Sequence, residues 1–455
     1  MNSLVIFKNN LRINDNQILY NASKKSKVIN TYIYDNINIK KDLGAASKYW
    51  LYHALKNLNK ELNNSILFYK GDTIKIIVKL LNTYSIDQIY LEEPFLEQDI
   101  NLYINLEKKL KGYRVKLITY NSSLLWNPKT ILKNDQTPYK VFTPFYKRGC
   151  LTKDDPETPL GKPQNISYAK INNGTSINDL KLLSKHRWSE KFNNLWDISE
   201  KHALDKFILF INKSINNYKK GRDFPASNFN SKLSPYIRFG MISIHRIWHE
   251  LKKLKTNEDI EHFKSEIGWR EFSYYLLYHF PYMQHKNFQT KFDNFNWSNS
   301  EEKFESWKKG KTGFPFIDAG MQELWQTGYM HNRVRMVVAS FLVKNLLIDW
   351  KWGEKWFWDC LVDADYASNI AGWQWAAGTG ADAAPYFRIF NPMLQGDKFD
   401  PDAIYTKKYI PQLNDISPKL IQRPWESPLI CNYRTPIIDY KKSRELAMEA
   451  YNKIK

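Results

Sequence analysis

Residues 369–380, Asn-Ile-Ala-Gly-Trp-Gln-Trp-Ala-Ala-Gly-Thr-Gly, set two indoles, Trp373 and Trp375, among glycines and alanines. Small residues let a backbone or a flat ligand approach closely. Two indoles one residue apart cannot share a helix face, so they must serve two directions. In 331–345, a 100° step puts Asn332, Arg335, Met336 and Ala339 on one face and Val334, Val337, Val338 and Phe341 on the other. The apolar face is core. An amide, a guanidinium and a thioether beside a small residue suit a flat polar ligand, although a structural ion pair would use the same arginine. In 263–277, Glu266, Trp269, Arg270 and Ser273 form a stripe at i, i+3, i+4, i+7. A carboxylate, an indole and a guanidinium together can stack on and read a nucleobase; an interhelical ion pair is the plainer reading. Ser231, Lys232 and Ser234 precede Pro235 and a helical run, which makes either an anion site or a simple N-cap. Asp363 and Asp365 complete the set. A buried Asp363 needs a cation, for which Arg335 is the candidate. A metal is the alternative, but no His or Glu stands nearby at ligand spacing.

The elements that must position these groups fall into two kinds. Up to about residue 120, apolar runs at 3–7, 28–34, 65–71, 87–93 and 113–121 read as buried parallel strands. Helical patterns at 43–62, 73–84 and 97–111 alternate with them, which predicts a doubly wound α/β domain. No G-x-G-x-x-G is present, so a dinucleotide site of the usual kind is not expected there. Residues 122–200 are rich in Pro, Asn and Lys and read as a long connection that wraps the molecule. Beyond about 200, helical periods dominate and no convincing strand is visible.

A net charge of +20 points to an anionic partner, nucleic acid first. Lysine greatly outnumbers arginine and Asn and Ile abound, so part of that charge is a compositional bias. Most of the 16 tryptophans fall between Trp248 and Trp375, more than an ordinary core requires. Cys150, Cys360 and Cys431 match no zinc or disulfide spacing and fit a reduced, cytoplasmic protein. The longest apolar stretch, 336–343, is too short to span a bilayer, and no secretory signal is visible.

Taken together, these segments resemble the photolyase/cryptochrome family, most closely its class I cyclobutane pyrimidine dimer photolyases. The resemblance runs from LVIFKNNLRINDNQIL through RDFPASNFNSKLSPYIRFG and EIGWREF to the long block 313–392 and GDKFDP. It implies an α/β plus all-α protein. An antenna domain (1–125) is joined by a linker (126–199) to a helical FAD-binding domain (200–455). By the same likeness Trp373, Trp350 and Trp297 form an electron relay to the flavin, while Trp375 and Trp269 flank a flipped-out lesion. Tyr218, Asn230, Ser231, Lys232, Leu233 and Ser234 match the FAD-phosphate loop, with Asn230 standing where the family usually has Thr. Asn332, Arg335, Asp363, Ala364 and Asp365 match positions around the flavin, and Asn369 the position beside its N5. Glu266 and Met336 match lesion contacts. Arg222, Arg270, Arg333 and Arg388 match residues near the DNA or the lesion cavity.

The resemblance implies a monomer that uses FAD to repair cyclobutane pyrimidine dimers in DNA with blue light. A second, antenna chromophore of folate or deazaflavin type stays open. Lys8 and Asn10 replace the family's usual Arg and Asp, and Leu96 precedes Glu97 where folate-binding members commonly have Asn. Two alternatives share the fold and the tryptophans: a cryptochrome-type blue-light receptor and a (6-4) photoproduct photolyase. Asn369, where plant-type receptors carry Asp, and Met336, where (6-4) enzymes carry a proton-donating His, favour dimer repair.

Overall fold

The computed structural model describes every residue except 170, 172–173, 185 and 428–432; Cys431 therefore lies outside the described residues. Five parallel strands, β1 (Asn2–Phe7), β2 (Lys27–Tyr34), β3 (Leu67–Lys70), β4 (Gln88–Glu92) and β5 (Lys116–Tyr120), pair in the order β3-β2-β1-β4-β5. The third and fifth are shorter than their apolar runs, because the flanking residues form the turns. The helices Ala45–Glu61, Thr73–Thr83 and Glu97–Leu110 fall where the sequence pattern puts them. A further short helix, Gln17–Ser23, escaped that pattern; its start is fixed by Asn16, whose side chain accepts from Leu19 N–H at 3.1 Å.

β1 lies at the centre, and the chain winds outward on one side before crossing back to β4. That reversal opens a crevice at the strands' carboxyl ends. A cavity of about 220 Å³ lies there, lined by Lys8, Tyr34 and Glu92 on one side and by Trp358 and Tyr366 of the helical part on the other.

The connection 126–199 is more structured than a bare linker. It adds one parallel bridge from Tyr168 to Val28 and one antiparallel bridge from Thr175 to Phe68. Its Phe142–Pro144 turn runs straight into a wide helical turn, Phe145–Cys150, packed on Phe272 and Tyr275. After residue 200 no strand occurs among the described residues. The helices that matter for the site are Glu258–His279, Pro315–Thr327, Asn332–Ser340, Trp350–Cys360 and Tyr366–Ala377. No helix among the described residues is long and apolar enough to cross a membrane.

The two halves meet through the loop before the Ala45–Glu61 helix. Trp358 Nε1 donates to Asp42 O (2.7 Å), Ala45 N to Asp359 Oδ1 (2.9 Å) and Ser47 Oγ to Leu361 O (3.1 Å). A Cβ on Gly44 would sit 1.9 Å from Trp358 O, so only glycine lets the loop press this closely on the Trp350–Cys360 helix.

Candidate functional site

The Tyr366–Ala377 helix begins at Asp365, whose side chain accepts from Ser368 N–H at 2.8 Å. Its indoles part as the sequence demands. Trp373 is 3 % exposed and packs into the core, 4.9 Å from the Phe357 ring and 6.2 Å from the Trp307 indole. Trp375 is half-buried, on the face that also carries Ser368 and Gly372. A Cβ on Gly372 would meet no atom within 4 Å, whereas one on Gly353 would collide with Trp373 at 2.1 Å. One side of this helix thus faces open space, and the other is locked onto the Trp350–Cys360 helix.

The Asn332–Ser340 helix faces as predicted except for Ala339, assigned to the polar face but buried at 5 % exposure. Val334, Val337, Val338 and Phe341 are buried, while Arg335 and Met336 are half-buried and Asn332 is exposed. Arg335 Nη2 donates to both carboxylate oxygens of Asp363, at 2.8 and 3.1 Å, and its Nε to Met330 O at 2.7 Å. Burial disfavours the Arg335 charge, but Asp363 and Tyr329 outweigh it and raise its pKa. Ser234 Oγ donates to the same Asp363 at 2.6 Å, which ties the 230–234 segment to this pair. Arg238 Nε donates to Ala364 O at 2.9 Å. Asp365 is buried and would resist ionising, yet Arg238 and Arg270, with the Tyr274 hydroxyl at 2.5 Å, keep its pKa below the ordinary value.

In the 230–234 segment, Lys232 adopts a positive φ of 51° and has no ion-pair partner among the described residues. Tyr218 closes the region from below, packed edge-on to Phe263 at 5.0 Å. Asn230 lies 2.7 Å from His331 Nε2. His331 caps its helix and receives Arg333 N–H on Nδ1 at 3.2 Å, and burial together with Arg222 pushes its pKa down to about 3. A neutral ring that accepts at Nδ1 carries its proton on Nε2. The contact is complementary only with the Asn230 amide oxygen toward that proton, which turns the amide NH2 outward. From sequence His331 lies about 140° around the helix from Met336 and is a poor substitute proton donor; its capping role and its contact with Asn230 emerge only in the structure.

These residues fit FAD. An unpaired lysine, the Ser231 hydroxyl and an outward amide suit a pyrophosphate. A guanidinium clamped to a carboxylate, an alanine-glycine helix face and a half-buried indole suit a flat ring. The described residues hold them within one region of the helical half.

Around that region stand the remaining candidates. Trp269 stacks on Phe142 of the connection, with centroids 3.9 Å apart and planes 11° apart, and Phe142 N donates to Asp382 Oδ2 at 2.9 Å. One face of Trp269 is therefore covered and held rigid from behind. Arg222 pairs with Glu266 and contacts His262; Arg333 pairs with Asp223 at 2.7 Å. Arg388 is exposed. Arg270 reaches the site only electrostatically, through Asp365; its guanidinium donates to Ser123 O and Glu271, both at 2.9 Å. Trp350 is 2 % exposed and donates to Asn287 Oδ1 at 2.9 Å; Trp297 is half-buried against Phe295 at 4.5 Å. Asn369 donates its amide to Glu354, a residue no motif singled out.

Two family models cover most of the chain: "DNA photolyase" over residues 3–164 and "FAD binding domain of DNA photolyase" over residues 263–453. The chain is 40% identical to the deoxyribodipyrimidine photo-lyase of Agrobacterium fabrum, across 99% of this chain and 98% of that one. It is 31% identical to cryptochrome-2 of Arabidopsis thaliana, across 99% of this chain and 79% of that one. The structure of a bacterial class III photolyase from Agrobacterium tumefaciens superposes with a TM-score of 0.95 at 38% identity, covering 99% of this chain and 97% of that one. A parallel sheet followed by a mostly helical part, together with the FAD-binding family model, defines a flavoprotein with FAD as its cofactor. The chain belongs to the DNA photolyase/cryptochrome family, and this structural likeness is to a class III enzyme, where the sequence reading leaned toward class I.

Asp363→Asn leaves the Arg335 guanidinium without its counter-charge, which costs about 3 kcal/mol, the low end for a buried pair because Arg335 keeps partial exposure. Denaturant unfolding should show that loss, and gel filtration should strip flavin absorbance from the variant; an unchanged midpoint and unchanged flavin content would contradict the role. Lys344 gives a pH signature. It is buried, donates to Arg388 O at 3.1 Å, and desolvation lowers its pKa to about 8 from 10.5. The folded state then binds fewer protons than the unfolded chain between those values, so stability from this group is lost as pH falls through about 8 and regained toward 10.5. Relative to Lys344→Met, the wild type should gain unfolding free energy as pH rises across that window; parallel curves would show that the lysine is not desolvated.

Proposed function

We propose that this protein is a light-driven DNA-repair enzyme, a deoxyribodipyrimidine photo-lyase acting on cyclobutane pyrimidine dimers. Reduced FAD, when bound, supplies the excited-state electron that splits the dimer. The chain's own residues bind, orient and shield. Lys232, Ser231 and Asn230 would hold the pyrophosphate, with Ser234 contributing at most its backbone because its hydroxyl donates to Asp363, and the Arg335–Asp363 pair would fix the edge of the isoalloxazine ring. Trp269, backed by Phe142, offers one rigid face to a flipped base, and Trp375 a second indole. Glu266, held by Arg222, presents carboxylate oxygens for base edges. Arg222, Arg333 and Arg388 supply positive charge for the phosphates. Trp373, Trp350 and Trp297 serve as the path by which an oxidised flavin is re-reduced.

The choice of lesion rests on Met336 at the half-buried position of the polar helix face, with His331 committed elsewhere. Repair of a (6-4) product must also move a hydroxyl group and needs a proton donor. Met336 cannot donate. His331 is neutral, caps a helix and is engaged at both nitrogens. A thioether against an apolar ring suits a cyclobutane, which needs only electron injection and return.

The pure, reduced, illuminated protein should restore thymines from cyclobutane dimers and leave (6-4) products unchanged, as chromatography of both substrates after equal light doses would show. Turnover of the (6-4) product alone would overturn the lesion assignment, and turnover of neither would favour a receptor like the plant relative. Trp350→Phe keeps most of the packing volume but oxidises far less readily. It should abolish photoreduction of oxidised FAD and leave repair by chemically reduced enzyme within about twofold of wild type; photoreduction at the wild-type rate would remove Trp350 from the path.

A further inference from the structure

Asn369 is 9 % exposed, and its amide NH2 is already committed. Nδ2 donates to Glu354 Oε1 at 2.7 Å and to Glu354 O at 3.0 Å. An amide anchored through its nitrogen on two acceptors cannot turn over without facing its oxygen to those same acceptors. The orientation is therefore fixed, and the carbonyl oxygen, which meets no protein donor among the described residues, is the end left to a ligand.

What fixes Glu354 in turn lies in the other half of the molecule. Its carboxylate is 8 % exposed and needs a cation. Lys41, in the loop leading to the Ala45–Glu61 helix, places Nζ 2.5 and 2.7 Å from the two carboxylate oxygens. The ammonium also lies 4.8 Å from the centroid of the Trp358 ring and 5.9 Å from that of Tyr366, an aromatic surround that favours the charge. Its loop is pinned by the hydrogen bonds of Asp42 and Ala45 to the Trp350–Cys360 helix and by the contact that only Gly44 allows. The other nearby charges are engaged elsewhere: Lys40 with Glu97, and Asp42 with Lys48. Tyr366 stays neutral, because burial, with Glu354 and Glu97 adding to it, pushes its pKa up to about 12. Among the described residues Lys41 is the cation within ion-pair distance of Glu354.

We propose that Lys41 is a positioning residue for the flavin: it holds Glu354 as an ion-paired carboxylate, Glu354 holds the Asn369 NH2, and the Asn369 carbonyl oxygen is thereby fixed as a hydrogen-bond acceptor toward the isoalloxazine. This rests on the reading of Asn369 as a flavin-facing residue. Lys41 also lines the crevice at the strand reversal, so the α/β half and the flavin site share one charged group. Neutralising the lysine leaves an unpaired carboxylate whose negative charge disfavours electron uptake nearby.

The test is a spectroelectrochemical titration of the FAD-loaded protein in the dark, without DNA, across neutral pH. A failed repair assay would leave its outcome standing, and the reverse holds as well. Lys41→Met should lower the flavin midpoint potential relative to wild type. Lys41→Arg should restore the wild-type potential, and Glu354→Gln on the Lys41→Met background should reverse most of the shift. A wild-type profile in Lys41→Met overturns the proposal, as does an equal displacement in the Met and Arg variants, which would mean a steric role alone. Where Lys41→Met loses FAD, Lys41→Gln replaces it: a wild-type potential in that uncharged variant overturns the proposal, and a lowered one supports it.

Discussion

Asp363 loses nearly all its water, and everything around it follows from how that loss is offset. Two hydrogen bonds from Arg335 and one from Ser234 replace the hydration of its carboxylate. Those two partners come from separate segments, the Asn332–Ser340 helix and the start of the Ser234–Arg238 turn. A charge pair of this kind adds little net stability against an apolar alternative, but leaving either member alone is costly. The consequence is geometric. Three stretches far apart in sequence are held in one arrangement, and that arrangement puts a lysine, two hydroxyls and a guanidinium around the same space.

The helix that follows carries this order into the aromatic part of the site. Asp365 starts it, and Gly353 admits Trp373 against the neighbouring helix so closely that no other residue fits there. Because successive residues turn by 100°, burying Trp373 forces Trp375 outward. A buried indole beside other aromatics and an accessible one beside open space thus arise from a single helix, with no loop needed to aim either.

The α/β half is more than a neighbour. Its loop enters the contact through Gly44 and delivers the Lys41 ammonium to a carboxylate that belongs to the helical half. The connection between the halves contributes likewise. Phe142 backs Trp269, and the backbone N–H of Leu125 donates to buried Glu271 at 2.8 Å. Rigid supports of this sort hold a stacking surface in place before a ligand arrives, which lowers the ordering cost of binding.

The local patterns of this chain were enough for its local structure. Alternating apolar runs and helical periods determine the five strands, the three long helices between them and most of the two faces of the Asn332–Ser340 helix, because burial periodicity is written in neighbouring residues. The Asp363–Arg335 pair was also legible, since a buried carboxylate has to find a cation and few candidates face the right way. The short Gln17–Ser23 helix was not, being held by one cap rather than by a long apolar stripe. Nor could sequence place Arg270 on Ser123, set Phe142 behind Trp269, or join Lys41 to Glu354 across 313 residues. Such contacts leave no periodic mark along the chain. They are decided when the two halves pack, where desolvated charges and ring faces accept only the partners that the tertiary structure brings within reach.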